Sequence, residues 1–156
     1  MPDAWRIDRA KWATNSFSGR GAALEGGRWN PAGAAVVYAS RNLATAALEK
    51  FVHLPKPVPP AMTFVQFEID WNGVAIARPS PKDLPADWRA EPVGAASQRF
   101  GAEWLAAGRT AVLAVPSALI PLEENYVLNP AHPEFRKIKI SAAAPFVFPP
   151  RLATLA

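Results

Sequence analysis

Gly26-Gly27-Arg28-Trp29-Asn30-Pro31, Val36-Val37-Tyr38-Ala39-Ser40 and Leu48-Glu49-Lys50-Phe51-Val52-His53 follow one another closely between Gly26 and His53. The apolar segment Val36 to Tyr38 comes after a Pro-Ala-Gly turn and reads as a short buried strand. Ser40 or Asn42 can then cap a helix that runs to about His53. Leu43, Ala47, Leu48, Phe51 and Val52 give that helix an apolar face, while Thr45, Glu49 and His53 recur at four-residue spacing on another. Pro55 pushes the residue before it out of helical geometry and ends the element.

Working outward, Lys56 to Pro60 is a proline-rich and therefore stiff connection. Thr63 to Asp70 alternates, with Val65, Phe67 and Ile69 inward and Gln66, Glu68 and Asp70 outward, as in a strand with one buried face. Val74 to Ala77 is expected to pair with it across the Asn72-Gly73 turn. Prolines 79, 81, 85 and 92 break all periodicity from Arg78 to Pro92, which reads as loop. Ser97 to Ala107 reads as a helix burying Phe100, Trp104 and Leu105 and stopping at Gly108. Thr110 to Val115 is continuously apolar, as in a central strand, and Phe135 to Ile140 alternates again around Ile138 and Ile140. The pattern is one mixed α+β domain over residues 1–156, with short strands, no repeat and no internal boundary.

Composition narrows the function classes. Half of the 156 residues are apolar, enough for a core, and a charged fraction of 19% argues against a long disordered tail. No apolar run approaches the roughly 18 residues that a membrane helix needs. The start, Met1-Pro2-Asp3-Ala4-Trp5-Arg6, lacks the basic-then-apolar layout of a secretion signal, so a cytoplasmic location is expected. Without cysteine there is no disulfide framework, thiol nucleophile or zinc–thiolate cluster. A net charge of +4 and a pI near 9.8 favour anionic partners, yet the basic residues are scattered. Charge thus permits nucleic-acid binding without arguing for it, and no direct contact with DNA is expected.

Several side chains could carry chemistry. Arg28 follows two glycines that allow close backbone approach, and its guanidinium can fork onto phosphate or carboxylate oxygens. Alone, it reads equally as a surface arginine in a turn. Trp29 reads as a core anchor. Tyr38 ends the strand with its ring packed and its hydroxyl in need of a partner, the ordinary condition of a core tyrosine. Glu49 sits among mainly apolar residues with His53 one turn on; it is either a functional carboxylate or a solvent-facing one paired with Lys50, Arg41 or His53. Ser117 follows Val115-Pro116 at a strand end, where ligand-facing side chains emerge, but serine is also a common helix cap. No Gly-x-Ser-x-Gly elbow surrounds Ser117, which argues against a hydrolase nucleophile. His132 lies between the prolines of Asn129-Pro130-Ala131-His132-Pro133 and reads as structural. Two separated histidines without an HExxH pattern are poor metal ligands, and the phosphate-loop and GxGxxG fingerprints are absent.

Taken in order, these segments resemble the RES domain family, named for characteristic arginine, glutamate and serine residues. The likeness runs from Trp5-Arg6 through Ser18-Gly19-Arg20-Gly21-Ala22, the Gly26-to-Asn30 turn, Val37-Tyr38-Ala39-Ser40 and Ala47-Leu48-Glu49 with Val52-His53-Leu54. It continues through Val115-Pro116-Ser117-Ala118, Glu124-Asn125-Tyr126, Asn129 to Pro133 and Pro145-Phe146. The resemblance implies a split β-core with flanking helices, similar to ADP-ribosyltransferase toxins. It further implies a toxin of a toxin–antitoxin pair that consumes NAD+ as substrate, by hydrolysis, phosphorolysis or transfer of ADP-ribose to a protein. The implied partner is an antitoxin with a helix-turn-helix domain, whose C-terminal segment blocks the NAD+ cleft. The family's arginine falls on Arg28, its tyrosine on Tyr38, its glutamate on Glu49 and its serine on Ser117. Pro149-Pro150-Arg151-Leu152 departs from the acidic residue that family members often carry before a closing Arg-Leu.

The chemistry so implied is coherent. Breaking the nicotinamide–ribose bond passes through an oxocarbenium-like state, which one carboxylate, Glu49, can stabilise. Nicotinamide departs neutral, so no general acid is needed. Tyr38 is expected to stack on the nicotinamide ring, Arg28 to hold a phosphate or ribose edge, and Ser117 another polar edge. Arg6 is a further candidate for phosphate contact, and His53 for orienting Glu49. The competing expectations are a basic RNA-binding or RNA-cleaving toxin, and an inactive module that only binds an antitoxin.

Overall fold

The computed structural model describes residues 1–156. Its strands are β1 (Ala4–Arg9), β2 (Val37–Ser40), β3 (Phe64–Asp70), β4 (Ile76–Ala77), β5 (Val112–Pro116), β6 (Glu124–Leu128), β7 (Lys139–Ile140) and β8 (Ala144–Phe146). The helices are α1 (Arg20–Glu25), α2 (Leu43–Phe51), α3 (Ala95–Ala107) and α4 (Pro150–Ala153). All strands join one sheet in the order β4-β5-β6-β2-β1-β3-β7, with β8 also on β3. Only β4 and β5 run parallel. The expected α+β class is what the chain adopts.

The sheet is split in the middle. β1 matches β3 at six residue pairs but meets β2 at one, Trp5 opposite Ser40. Beyond that pair, the Arg6 guanidinium fills the opening and donates to the Tyr38 carbonyl at 2.9 Å, where an unbroken ladder would have a strand N–H. Three apolar clusters follow from this split. One holds Val37, Ala39, Ile69, Val112 and Leu128; a second places α2 residues Ala46 and Phe51 on Ile7 and Phe64; a third packs Trp29 with Leu113, Val115 and Val127.

Local signals fixed several elements. Asn42, not Ser40, caps α2, its side chain accepting from the Thr45 N–H at 2.8 Å. Gly108 ends α3 in the left-handed region, at φ 60°. One expected pairing and one expected strand are corrected. Asn72-Gly73 does turn the chain, but β4 does not return to β3: one edge of β3 is taken by β1 and the other by β7 and β8. Trp71 and Val74 enter the core, and the chain crosses to pair β4 with β5 at the far edge. Phe135 to Ile140 is mostly not a strand, because Pro133 opens a 3-10 turn over Pro133–Lys137 and leaves only Lys139–Ile140 paired. No helix is long and apolar enough to cross a membrane.

Candidate active site

Glu49 belongs to the second turn of α2, on the face that Thr45 shares. That face meets the segment joining β5 to β6. Ser117 Oγ donates to Glu49 Oε2 at 3.1 Å, and Asn125 Nδ2 donates to the same oxygen. One turn earlier, Glu123 Oε1 accepts from Thr45 Oγ1 at 3.0 Å and from Asn42 Nδ2. No protein donor reaches Glu49 Oε1. The carboxylate is half-buried, held by one oxygen with the other free.

Ser117 is fully buried. Its Oγ also accepts from the backbone N–H groups of Leu119 and Ile120, each at 3.1 Å, which bends the chain out of β5. Ser40 stands opposite Asn125 in the β2–β6 register and donates to Asn125 Oδ1 at 2.7 Å.

Tyr38 lies two residues before Ser40 and therefore on the same face of β2. Its hydroxyl donates to Asn30 Oδ1 at 2.6 Å and accepts from the Trp29 N–H at 3.0 Å. Burial pushes the phenol well above its ordinary value, against the opposing pull of the Trp29 N–H and of Arg28. Gly27 is glycine because a Cβ there would lie 2.8 Å from the Tyr38 hydroxyl. The close approach foreseen at the paired glycines is thus made by Tyr38.

Arg28 Nη1 donates to the carbonyls of both Trp88 and Ala90, at 2.9 and 2.8 Å, and Nη2 pairs with Glu91 at 3.1 Å. In the same stretch Arg89 Nε donates to the Ala118 carbonyl at 2.6 Å. Residues 88–91 therefore tie the Arg28 turn to the loop after Ser117. Trp29 is a core anchor, stacked on Trp88.

Arg6 donates to Ser16 Oγ at 2.8 Å and to Asp8 at 3.1 Å in addition to the Tyr38 carbonyl. Lys50 stands 3.8 Å from the other Asp8 oxygen. Burial lowers both cations below their ordinary values, and Asp8 opposes the shift. His53 is exposed and makes no bond to Glu49. His132 accepts from the Glu134 N–H at 3.0 Å and meets the Gly108 carbonyl at 3.0 Å, a structural role.

The structure thus joins Glu49 to Ser117 directly, sets Tyr38 beside Arg28, and gives Arg6 to the split. It adds Asn125 and Asn30, which no residue pattern singled out, and Ser40, read only as a possible helix cap; the only signal was that all three lie inside quoted motifs. No group of three or more His, Asp or Glu side chains is arranged to hold a metal. A groove of about 390 Å³ between Arg78–Trp88 and Pro116–Glu124 touches Glu123 but not Glu49, Tyr38 or Ser117.

Known proteins share this chain's sequence and fold. The chain is 40% identical over 152 residues to the Prs ADP-ribosylating toxin of Sphingobium sp. (strain YBL2), covering 95% of this chain and 94% of that one. It is 35% identical over 150 residues to the Toxin Res of Yersinia enterocolitica, covering 95% and 97% of the two chains. The fold matches a chain of the M. tuberculosis MbcT-MbcA toxin–antitoxin complex with a TM-score of 0.69 at 16% identity, over 94% of this chain and 85% of that one. The RES domain model matches residues 3–149, and with relatives of this identity and coverage the chain belongs to the RES domain family.

Proposed function

We propose that this chain is the toxin of a toxin–antitoxin pair and that it cleaves the nicotinamide–ribose bond of NAD+. The observation that carries the reading is the carboxylate of Glu49, tethered through Oε2 by Ser117 and Asn125 with Oε1 unengaged. A fixed anionic oxygen stabilises an oxocarbenium-like centre without reorganising as charge develops. The scissile bond already leads to a neutral leaving group, so one carboxylate suffices. Tyr38 stacks on the nicotinamide ring, its hydroxyl locked by Asn30 and Trp29. Arg28 holds residues 88–91 and offers its remaining exposed surface, 16% of the side chain, to a phosphate or ribose edge. Ser117 acts through Glu49, and Arg6 through the split. The name of the Sphingobium relative favours transfer of ADP-ribose to a protein over release to water or phosphate.

The partner in this reading is an antitoxin with a helix-turn-helix domain, whose C-terminal segment covers the Glu49 cleft. The test is nicotinamide release from NAD+ by the purified chain, with Glu49→Ala as control and with phosphate and candidate protein acceptors in separate arms. Release that depends on Glu49 supports the reading. No release in any arm overturns it.

A further inference from the structure

Glu49 is a flexible side chain on a helix, and an unheld carboxylate would sample several rotamers. What holds it is a relay across three elements. Ser117 has spent both acceptor positions of its hydroxyl on the N–H groups of Leu119 and Ile120, so its single proton is free only to donate, and it goes to Glu49 Oε2. Asn125 supplies the second donor to that oxygen. An amide can face a carboxylate in only one sense: the carboxylate accepts and never donates, so Nδ2 must point at Glu49 and Oδ1 away. Ser40, directly opposite in the register, donates to Oδ1 at 2.7 Å and anchors the far end of the amide so oriented.

Building on the reading of Glu49 as the catalytic carboxylate, we infer that Asn125 is a positioning residue for Glu49 and that Ser40 acts through it by anchoring the carbonyl end of its amide. Neither touches substrate. Together with Ser117 they commit Oε2 to the protein and leave Oε1 for the reacting ribose.

The experiment compares Asn125→Ala, Ser40→Ala and the double variant in the full chain, by steady-state nicotinamide release and by crystal structures without ligand. Asn125→Ala is expected to lower kcat by about 100-fold, the scale of a 1 Å misplacement of a reacting group, with KM unchanged. Ser40→Ala has a smaller effect. The double variant is no worse than Asn125→Ala alone, because residues acting in series are not additive. The crystal structure of Asn125→Ala shows the Glu49 carboxylate moved from its wild-type position on an unchanged α2. An unmoved Glu49, full kcat in Asn125→Ala or strictly additive losses each overturn the inference. A displaced Glu49 in a chain whose wild type releases no nicotinamide sinks the NAD+ reading and leaves the positioning role standing. If Asn125→Ala does not fold, Ser40→Ala still decides: it keeps the Asn125 side chain and removes only its anchor, so unaltered activity and an unmoved amide rule the relay out.

Discussion

Ser117 Oγ and Glu49 Oε2 lie 3.1 Å apart although 68 residues separate them. The contact clamps α2 to the end of β5 and puts a buried hydroxyl behind a half-exposed carboxylate. It defines which oxygen of Glu49 is structural and which is available.

Replacing Glu49 with glutamine keeps the shape and removes the charge. Loss of one fixed electrostatic group is expected to reduce kcat for nicotinamide release by about 100- to 1,000-fold. Far-UV circular dichroism should be unchanged. Equal turnover in the variant would remove Glu49 from the chemistry.

Ser117→Ala removes one donor to Glu49 and the shared acceptor of two backbone N–H groups. Leaving buried donors unpaired costs about 1–3 kcal/mol, so this variant should lose both stability and activity. Urea unfolding measures the first and nicotinamide release the second. Activity lost with stability intact would mean that Ser117 contacts the ligand instead.

Arg28→Lys keeps the charge but not the planar fork that sets Nη1 on the Trp88 and Ala90 carbonyls and Nη2 on Glu91 at once. Amide hydrogen exchange should accelerate across residues 85–92 while β5 and β6 stay protected. Unchanged exchange there would show that another contact holds the stretch.

The chain has two tyrosines, Tyr38 and Tyr126, and both phenols are raised above their ordinary 10.0. Burial is the main cause in each, and at Tyr126 the neighbouring Glu124 adds to it. A group with a raised folded value gives stability that is complete below the unfolded value and is lost as pH climbs through the folded one. Native protein should therefore show little tyrosinate absorbance at 295 nm near pH 10, and the signal should appear only as circular dichroism reports unfolding. Half of the tyrosinate signal titrating near 10 in folded protein would contradict the packing of one ring.

Gly101→Ala should be among the more damaging single substitutions outside the site. An added Cβ would collide with the Trp29 carbonyl, a backbone atom that cannot swing away. Overpacking of this kind costs up to about 3 kcal/mol, read as a lowered urea midpoint at constant m. A wild-type midpoint would mean that α3 can shift from the Trp29 turn.

Elements with strong short-range signals were legible in the residues. The helix from Asn42, the alternating strand β3, the glycine stop of α3 and the continuous apolar run of β5 each follow from capping, periodicity or φ preference. β1 and β6 were not, although β1 borders the split and the two strands carry Arg6 and Asn125. Their polar residues interrupt the apolar pattern because they serve the interior: Arg6 and Asp8 pair with each other, and Asn125 pairs with Glu49 and Ser40.

Class, buried tryptophan and family were settled by residue types in order along the chain, since capping, alternation and motif order are local properties. Which partners the polar side chains meet was settled by folding. Glu49 could have paired with Lys50, Arg41 or His53, all close in sequence; it found Ser117 and Asn125, because α2 lies across the ends of β5 and β6. Arg28 turned inward to backbone carbonyls, and β4 left its neighbour for the opposite edge because both edges of β3 were taken. Spacing can name a carboxylate, but only long-range packing decides which of its oxygens is bound and which is free.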